Sequence, residues 1–157
     1  MCGIVSYIGN HDPLPILIKG LRRLEYRGYD SAGLALLDGN NLSSIKKAGK
    51  VSELSDQVFS NPIKGNCGIA HTRWATHGIP NDINAHPHLD KTGKIALVHN
   101  GIIENYGAIK KTLESRGVVF KSETDSEVLV QLISELYYNG DGKLDSKDSV
   151  KAALHEV

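Results

Sequence analysis

The feature that most constrains this chain is a cysteine directly after the initiator methionine, at the head of a β-rich run. Cys2 follows Met1, and residues 4–8 form a short run of strand-favouring residues that Gly9-Asn10 ends. This pattern predicts a first strand that begins at the cysteine. Cysteine is small enough for the methionine to be removed. Cys2 would then carry a thiol and a free α-amine, which are a nucleophile and a general base on one residue.

The α-amine is the group that distinguishes such a cysteine from one inside a chain. An α-amine titrates near pH 7.7–8.0 and a lysine amine near 10.4, so far more of the α-amine is free base at neutral pH. The alternative is a small apolar residue that begins a core strand, because free cysteines are usually buried and inert. The first five residues leave both interpretations open.

Composition limits the classes of function. The 157 residues suit one domain, and 18 basic residues balance 18 acidic ones, so no net charge indicates a nucleic-acid or membrane partner. Two cysteines, Cys2 and Cys67, are too few for a disulfide framework and favour a reducing compartment. We find no signal-peptide pattern and no apolar stretch of membrane-spanning length, and we therefore expect a cytoplasmic protein.

The first third of the chain predicts a helix followed by a β-hairpin. Asp12 before Pro13 is typical of a helix N-cap, and apolar residues then recur at three- and four-residue steps. Gly28 is placed to end that helix. The polar turn Asp38-Gly39-Asn40-Asn41 separates residues 34–37 from residues 42–46, and this predicts a β-hairpin.

The middle of the chain predicts another helix and two strands. We expect a helix over 51–59 with Ser52 as its N-cap. A strand is predicted over 67–71, with Cys67 packed in the core, and a further strand over 95–98.

The C-terminal part is predicted to be mainly helical. Thr124 with Glu127 three residues later is a capping box, which indicates the start of a helix. Gly117 marks the end of the helix before it. The expected elements are helices over 105–115, from 124 onwards and over 150–157, a strand over 118–120, and a polar turn over 139–148.

Histidines are concentrated in one part of the chain, which raises the question of a metal site. Five of the seven lie between residues 71 and 99, and His77, His86 and His88 have nitrogen atoms that could bind zinc. However, there is no HxxxH or CxxC spacing and no acidic cluster beside them. We therefore predict no metal, and expect histidines that shape a loop through hydrogen bonds.

Two further segments allow both a functional and a structural interpretation. The Asn100 amide and the backbone N–H of Gly101 are suitable donors for a developing oxyanion, although Asn-Gly is also an ordinary turn sequence. Asp125 lies in the first turn of a predicted helix, where the helix dipole favours a carboxylate whatever its function. Each segment taken alone leaves the choice open.

Taken together, six segments resemble the motifs of class II glutamine amidotransferases, the family with an N-terminal cysteine nucleophile. Within it the chain is most similar to the glutaminase domain of glucosamine-6-phosphate synthases. Tyr29 and the loop at 74–77 differ from the purine-pathway amidophosphoribosyltransferases, which typically have Gln and a different loop there. The six segments are 2–5, 24–33, 71–78, 84–88, 98–104 and 123–125.

The resemblance implies a catalytic group. Cys2 would form a γ-glutamyl thioester, with its own α-amine as base and then as acid for the departing ammonia. Asn100 and Gly101 would form the oxyanion hole. Arg27 would orient the Cys2 terminus, and Trp74 would lie on a loop that closes over glutamine.

The resemblance also implies a pocket for the zwitterionic substrate. Arg73 would bind the α-carboxylate of glutamine through its planar fork. Asp125 would hold the α-ammonium group. Thr76 and His77 would line the glutamine pocket, and His86 would support it.

The implied fold is α+β, the four-layer αββα sandwich of N-terminal nucleophile hydrolases. The resemblance covers 1–157 as the N-terminal part of such a domain, truncated at its C-terminal side, without the sugar-isomerase domains that bind fructose 6-phosphate. It implies L-glutamine as substrate, no cofactor, and a homo-oligomer for the full-length protein. The alternative is an inactive glutamine-binding fragment with an incomplete fold.

Overall fold

The structure is a computed structural model that describes residues 2–75, 78–139 and 146–157, without the side chains of residues 139 and 146. It is a mixed α+β fold, as predicted. Residues 140–145 of the predicted turn at 139–148 lie outside the described residues, but residues 139 and 146–148 are helical, so the last helix begins before the predicted residue 150. The strands are β1 Gly3–Ile8, β2 Ser31–Asp38, β3 Asn41–Ala48, β4 Cys67–Arg73, β5 His88–Leu89 and β6 Ala96–Leu97. The helices are α1 Pro13–Leu24, α2 Val51–Ser60, α3 Tyr106–Ser115, α4 Asp125–Asn139 and α5 Ser146–Glu156, with a 3₁₀ turn at Glu25–Arg27 after α1.

Four of the strands form an antiparallel sheet in the order β1-β4-β2-β3. Its register aligns Gly3 with Thr72 and Ser31 with Arg73. The start of β1, the end of β4 and the start of β2 therefore meet at one end of the sheet. This arrangement places Cys2 next to the residues that follow β4.

The first hydrophobic core lies between one face of this sheet and helices α1 and α2. The Asp12 side chain accepts a hydrogen bond from the Leu14 backbone N–H at 3.0 Å, and Pro13 occupies the first helical position, so the predicted cap of α1 is confirmed. The buried core residues are Leu14, Leu17, Ile18, Leu21, Ala32, Leu34, Leu36, Val51, Leu54, Val58 and Ala70.

The opposite face of the sheet is only partly covered, and this corrects the prediction for Cys67. Side chains alternate along a strand, so Cys67 lies on the face away from α1. Its strand neighbours there are Ile8 on one side and Leu37 on the other, both exposed. Cys67 is therefore half-buried rather than packed in the core.

A second core is built by α3, α4 and α5 with the two-stranded sheet β5-β6. The Thr124 hydroxyl accepts a hydrogen bond from the Glu127 N–H at 3.3 Å, which confirms half of the predicted capping box. The Glu127 carboxylate instead accepts from the backbone N–H groups of Lys121 and Ser122. The buried members of this core are Ile103, Leu113, Val118, Val128, Leu129, Leu132, Ile133 and Ala153.

Three predicted elements are corrected by the structure. Residues 118–120 form no strand, because the backbone leaves Gly117 with φ +85° and then turns to bring Lys121 onto the Glu127 carboxylate. Ser52 is not the cap of α2, which begins after Lys50. The strand predicted over 95–98 is reduced to two residues.

Within the part of the chain that the structure describes, no helix combines the length and the apolar character needed to cross a membrane.

Candidate active site

A cavity of about 300 Å³ opens where β1, β4, the loop after β6 and the start of α4 meet. Its volume lies at the lower end of the range for small-molecule sites, about 300–1,000 Å³. The lining residues are Cys2, His71, Arg73, Trp74, His86, His99, Asn100, Gly101, Ile102, Thr124, Asp125 and Ser126.

Cys2 is half-buried directly before the first residue of β1, and its sulfur contacts the backbone of Trp74. The Trp74 N–H donates a hydrogen bond to Cys2 Sγ at 3.3 Å, and the thiol lies 3.7 Å from the Trp74 carbonyl oxygen. The next residue is held by the sheet, since the Gly3 N–H donates to the Thr72 hydroxyl at 3.2 Å. The sulfur is thus held at the cavity wall beside a backbone hydrogen-bond donor.

Arg73 and Asp125 supply opposite charges to the same cavity. Both are almost fully buried, with 4% and 5% of their surfaces exposed. The Asp125 carboxylate accepts a hydrogen bond from the Ile103 N–H at 2.8 Å and a longer one from the Ser126 hydroxyl at 3.3 Å. A buried cation and a buried anion at one cavity suit a ligand that carries both charges.

The electrostatics of Arg73 depend on its neighbours. Burial lowers the pKa of its guanidinium from the ordinary value, while the nearby Cys2, Asp30 and Asp125 act in the opposite direction. Arginine nevertheless stays protonated in proteins. One guanidinium nitrogen donates to the Gly78 carbonyl oxygen at 3.5 Å, so Arg73 also contacts the loop that follows it.

Asn100 and Gly101 lie beside Cys2 in the same cavity. Asn100 Nδ2 donates a hydrogen bond to the Cys2 carbonyl oxygen at 3.1 Å. An amide nitrogen carries two hydrogens, so this bond leaves a second donor for a ligand. A Cβ atom at Gly101 would lie 2.8 Å from the His99 ring, which explains why glycine occupies this tight position.

The histidines form a buried column next to the cavity. The His71 and His86 rings stack with centroids 4.3 Å apart, and the His86 and His88 rings meet edge to face at 4.6 Å. His86 Nδ1 accepts a hydrogen bond from the His99 N–H at 3.3 Å, and the His88 ring is hydrogen-bonded to the Thr124 hydroxyl at 2.9 Å. His86 therefore supports the backbone that leads to Asn100.

These three histidines are neutral at neutral pH. Burial lowers the pKa of His71 to about 4, and the charge of Arg73 acts in the same direction. Burial also lowers the pKa of His88 to about 3, helped by the charges of Lys46 and Arg73. For His86, burial and the neighbouring histidines hold the pKa well below its ordinary value. The column thus adds no positive charge beside Arg73.

Trp74 lines the cavity with an exposed side chain, whereas Arg27 is not among the lining residues. Trp74 is 44% exposed, and the Tyr29 ring meets it edge to face at 5.5 Å. The Asp30 carboxylate anchors the same loop by accepting from the Ala75 N–H at 2.8 Å. Arg27 is half-buried in the 3₁₀ turn, and its predicted role at the Cys2 terminus stays a prediction.

Thr76 and His77 lie outside the described residues, so their predicted place in the pocket stays a prediction. Within residues 2–75, 78–139 and 146–157, no group of three or more His, Cys, Asp or Glu side chains is arranged to hold a metal ion.

The residue-by-residue prediction missed five of the lining residues. Four of them, His71, His99, Ile102 and Thr124, lie inside the motif segments, so proximity to the motif residues was the available signal. Ser126 follows Asp125 directly, and its hydroxyl is hydrogen-bonded to His99 Nδ1 at 3.2 Å.

A larger cavity of about 740 Å³ lies on the other side of His88, between β3 and β5. Lys46, Asp82 and Glu127 are among its lining residues, but neither cysteine is. The candidate nucleophile and both buried charges line the smaller cavity, which is therefore the candidate active site.

Comparison with known proteins identifies relatives along the whole chain. The chain is 58% identical to the glutamine–fructose-6-phosphate aminotransferase (isomerizing) of Bacteroides thetaiotaomicron and 55% identical to that of Thermococcus kodakarensis. Each match covers 100% of this chain, but only 25% and 26% of the respective relative. The chain thus spans about a quarter of the length of these relatives.

Two solved structures show the same fold. One is a glutamine phosphoribosylpyrophosphate amidotransferase from B. subtilis in complex with ADP and GMP, with a TM-score of 0.82 and 30% identity. The other is described as the allosteric regulatory enzyme of purine biosynthesis, with a TM-score of 0.83 and 31% identity. Each match covers 99% of this chain and 33% of the other.

The family itself is established by a match to residues 55–144, more than half of the chain. This match agrees with the cysteine, the buried charge pair and the Asn-Gly segment that line one cavity. The chain belongs to the glutamine amidotransferase domain family, and it is a glutaminase module related to glutamine–fructose-6-phosphate aminotransferases.

Proposed function

We propose that Cys2 hydrolyses L-glutamine to glutamate and ammonia in the 300 Å³ cavity. The observation that carries this proposal is that Cys2, Arg73 and Asp125 line one cavity, although they come from three separate parts of the chain. Glutamine has an α-carboxylate, an α-ammonium group and a side-chain amide. The cavity offers a cation, an anion and a nucleophile that match these three groups.

In the first half of the reaction the sulfur of Cys2 attacks the side-chain carbonyl carbon of glutamine. After removal of Met1, the α-amine of Cys2 takes the thiol proton. The N–H of Trp74, at 3.3 Å from the sulfur, stabilises the thiolate before attack. The second hydrogen of the Asn100 amide and the Gly101 N–H donate to the oxyanion of the tetrahedral intermediate.

The second half of the reaction releases both products. The protonated α-amine gives its proton to the leaving nitrogen, ammonia departs, and a γ-glutamyl thioester remains on Cys2. The free α-amine then removes a proton from water, whose oxygen attacks the thioester carbon. The carbon–sulfur bond breaks, the sulfur regains a proton from the amine, and glutamate is released.

Arg73 and Asp125 are proposed to orient the substrate. The Arg73 guanidinium binds the α-carboxylate with two parallel hydrogen bonds, and the Asp125 carboxylate binds the α-ammonium group. Thr76 and His77 complete the pocket in this proposal, and His86 holds the oxyanion loop through the His99 N–H. Trp74 shields the reaction from water.

For the whole protein we propose that ammonia is transferred to fructose 6-phosphate to give glucosamine 6-phosphate. The support is that the relatives at 55–58% identity are glutamine–fructose-6-phosphate aminotransferases. Sugar-isomerase domains outside this chain would bind the sugar phosphate.

We also propose the layer architecture of the fold, the oligomeric state of the full-length protein and its location in the cell. A four-layer αββα sandwich is supported by α1 and α2 on one face of the large sheet and by the contacts of α4 with β5. Homo-oligomerisation of the full-length protein is supported by strands β1 and β3, which have no outer neighbour in the described part of the sheet. A cytoplasmic setting is supported by two free thiols, Cys2 and Cys67.

The test is the release of ammonia from L-glutamine by this chain and by two cysteine variants. Cys2→Ala should abolish release, whereas Cys67→Ala should retain it within about twofold, because Cys67 lies on a different part of the sheet. Glutamine binding without turnover in the wild-type chain, after Met1 is removed, would favour the alternative, an inactive glutamine-binding fragment.

A further inference from the structure

Asn84 is a buried amide that uses its whole side chain to join two segments. Only 1% of its surface is exposed. Its Nδ2 donates to the Ile79 carbonyl oxygen at 3.0 Å and to the Glu123 carboxylate at 3.1 Å, and its Oδ1 accepts from the Glu123 N–H at 3.0 Å. Each partner can only donate or only accept at these atoms, so the orientation of the amide is determined.

The two segments that Asn84 joins carry the two charges of the active site. On one side, Gly78 has φ +76°, and a Cβ atom there would lie 2.7 Å from Asn84 Nδ2. The Gly78 carbonyl oxygen is the acceptor for Arg73. On the other side, Glu123 precedes Asp125 by two residues, at the start of α4. Asn84 therefore lies between the loop that contacts Arg73 and the turn that presents Asp125.

We propose that Asn84 is a positioning residue for substrate recognition, because it sets the separation between the Arg73 guanidinium and the Asp125 carboxylate. An amino acid substrate places its carboxylate and ammonium groups on one carbon, so it tolerates little change in that separation. Asn84 does not line the cavity and has no part in the chemistry of Cys2. Its loss should weaken glutamine binding while leaving the nucleophile intact.

The test compares Asn84→Asp with the double variant Asn84→Asp/Glu123→Gln. Asn84→Asp keeps the size and the Oδ1 acceptor, but it replaces the donor with a carboxylate oxygen that faces the Ile79 carbonyl and the Glu123 carboxylate. In the double variant the side-chain amide introduced at position 123 donates to that new carboxylate and rebuilds the contact with residue 123, while the hydrogen bond to the Ile79 carbonyl stays lost. The matched control is Asn66→Asp. It makes the same change of atoms and charge at an exposed residue that lies directly before β4.

Three quantities are measured for each protein: the KM and kcat for glutamine, the Kd for glutamine, and the rate of Cys2 alkylation by iodoacetamide. For Asn84→Asp we expect the KM and Kd to rise about tenfold or more and the thermal midpoint to fall, because a buried carboxylate then faces two oxygen atoms, while the alkylation rate stays close to wild type. The double variant should lower the KM and Kd at least about threefold below those of Asn84→Asp, and Asn66→Asp should leave both at the wild-type value.

The inference rests on the proposed glutamine site, and its failure can be distinguished from failure of that site. If the wild-type chain binds glutamine and Asn84→Asp binds it with the same Kd, only the positioning role of Asn84 is overturned. A parallel fall in kcat, alkylation rate and thermal midpoint would also overturn it, since that pattern indicates general loss of structure. A wild-type chain that neither binds nor hydrolyses glutamine would contradict both proposals.

Discussion

The backbone N–H of Trp74 donates a hydrogen bond to the sulfur of Cys2 at 3.3 Å, across two neighbouring strands. This contact exists because β1 and β4 are paired with Gly3 opposite Thr72, so the residue before β1 lies against the residues after β4. The sulfur is thereby placed beside a backbone donor that, among the standard residues at position 74, only proline would remove. The sheet register, rather than a neighbouring histidine, thus sets the surroundings of the Cys2 sulfur.

Trp74→Pro removes this donor. We expect alkylation of Cys2 by iodoacetamide to slow about tenfold or more, because a hydrogen bond to a charged group contributes about 1.5–3 kcal/mol. Arg73 is the residue before the proline and lies in a strand, so its backbone suits that position. Trp74→Ala retains the N–H and should alkylate within about threefold of wild type. Equal rates for the two variants would show that the N–H does not activate the sulfur.

Arg73→Lys tests the carboxylate clamp. A lysine keeps the charge but loses the planar fork, so we expect the glutamine KM to rise about 10–100-fold, with a smaller effect on kcat. Steady-state kinetics of ammonia release measure both constants. An unchanged KM would contradict the assignment of Arg73 to the α-carboxylate.

Asp125→Asn tests the ammonium site with little structural change. The amide oxygen can still accept from the Ile103 N–H, which Asp125 now binds at 2.8 Å, so the start of α4 should remain in place. Loss of the negative charge should raise the Kd for glutamine about tenfold or more. Titration calorimetry with glutamine measures this Kd. Unaltered affinity in a folded variant would remove Asp125 from the substrate site.

The buried histidine column predicts that acid destabilises the fold. His71 and His88 have pKa values of about 4 and 3, below the ordinary value of 6.5, so the unfolded chain binds more protons than the folded one between these values. The free energy of unfolding should therefore be highest above pH 6.5 and fall as the pH decreases toward 4, by up to about 1.4 kcal/mol per pH unit for each histidine.

Urea denaturation at pH 7.5, 6 and 5 measures this slope. His88→Gln keeps a neutral partner for the Thr124 hydroxyl and should reduce the slope, whereas His155→Gln, on the exposed surface of α5, serves as the control. The charge of Arg73 lowers the pKa of both histidines and that of Lys46 lowers the pKa of His88, so these cations act in the same direction as burial. A pH-independent stability between 7.5 and 5 would contradict the neutral column.

The cap of α1 provides a direct comparison of two predicted N-caps. Asp12→Ala removes the acceptor for the Leu14 N–H and should lower the free energy of unfolding by about 1 kcal/mol. Ser52→Ala should have an effect within about 0.5 kcal/mol, because Lys50 and not Ser52 precedes the first residue of α2. Chemical denaturation of the two variants measures the difference. Similar losses would mean that Ser52 has a capping role that the structure does not show.

The parts of the fold that could be predicted are those with a local physical cause. The α1 cap, the hairpin and the apolar stripe of α1 depend on residues within one element, and each was predicted and confirmed. The motif segments likewise indicated Cys2, Arg73 and Asp125, which the structure brings to one cavity. Residue types and order were sufficient for these features.

The parts that could not be predicted depend on contacts between distant segments. Residues 118–120 have strand-favouring side chains, but the Glu127 carboxylate captures the backbone N–H groups just after them. Cys67 lies in an apolar run, yet the second face of the sheet is uncovered at that point. The stacking of His71 on His86 requires a loop to cross β2 at Gly33, where the His86 carbonyl leaves no room for a side chain.

The central claim is that Cys2, and not Cys67, is the activated nucleophile of an assembled glutamine pocket. The most direct measurement is the intact mass of the chain before and after reaction with a glutamine analogue that carries an electrophilic carbon in place of the side-chain amide. We predict a chain without Met1 that gains one adduct, located at Cys2 and prevented by excess L-glutamine. Retention of Met1, or equal labelling of Cys2 and the half-buried Cys67, would contradict the claim.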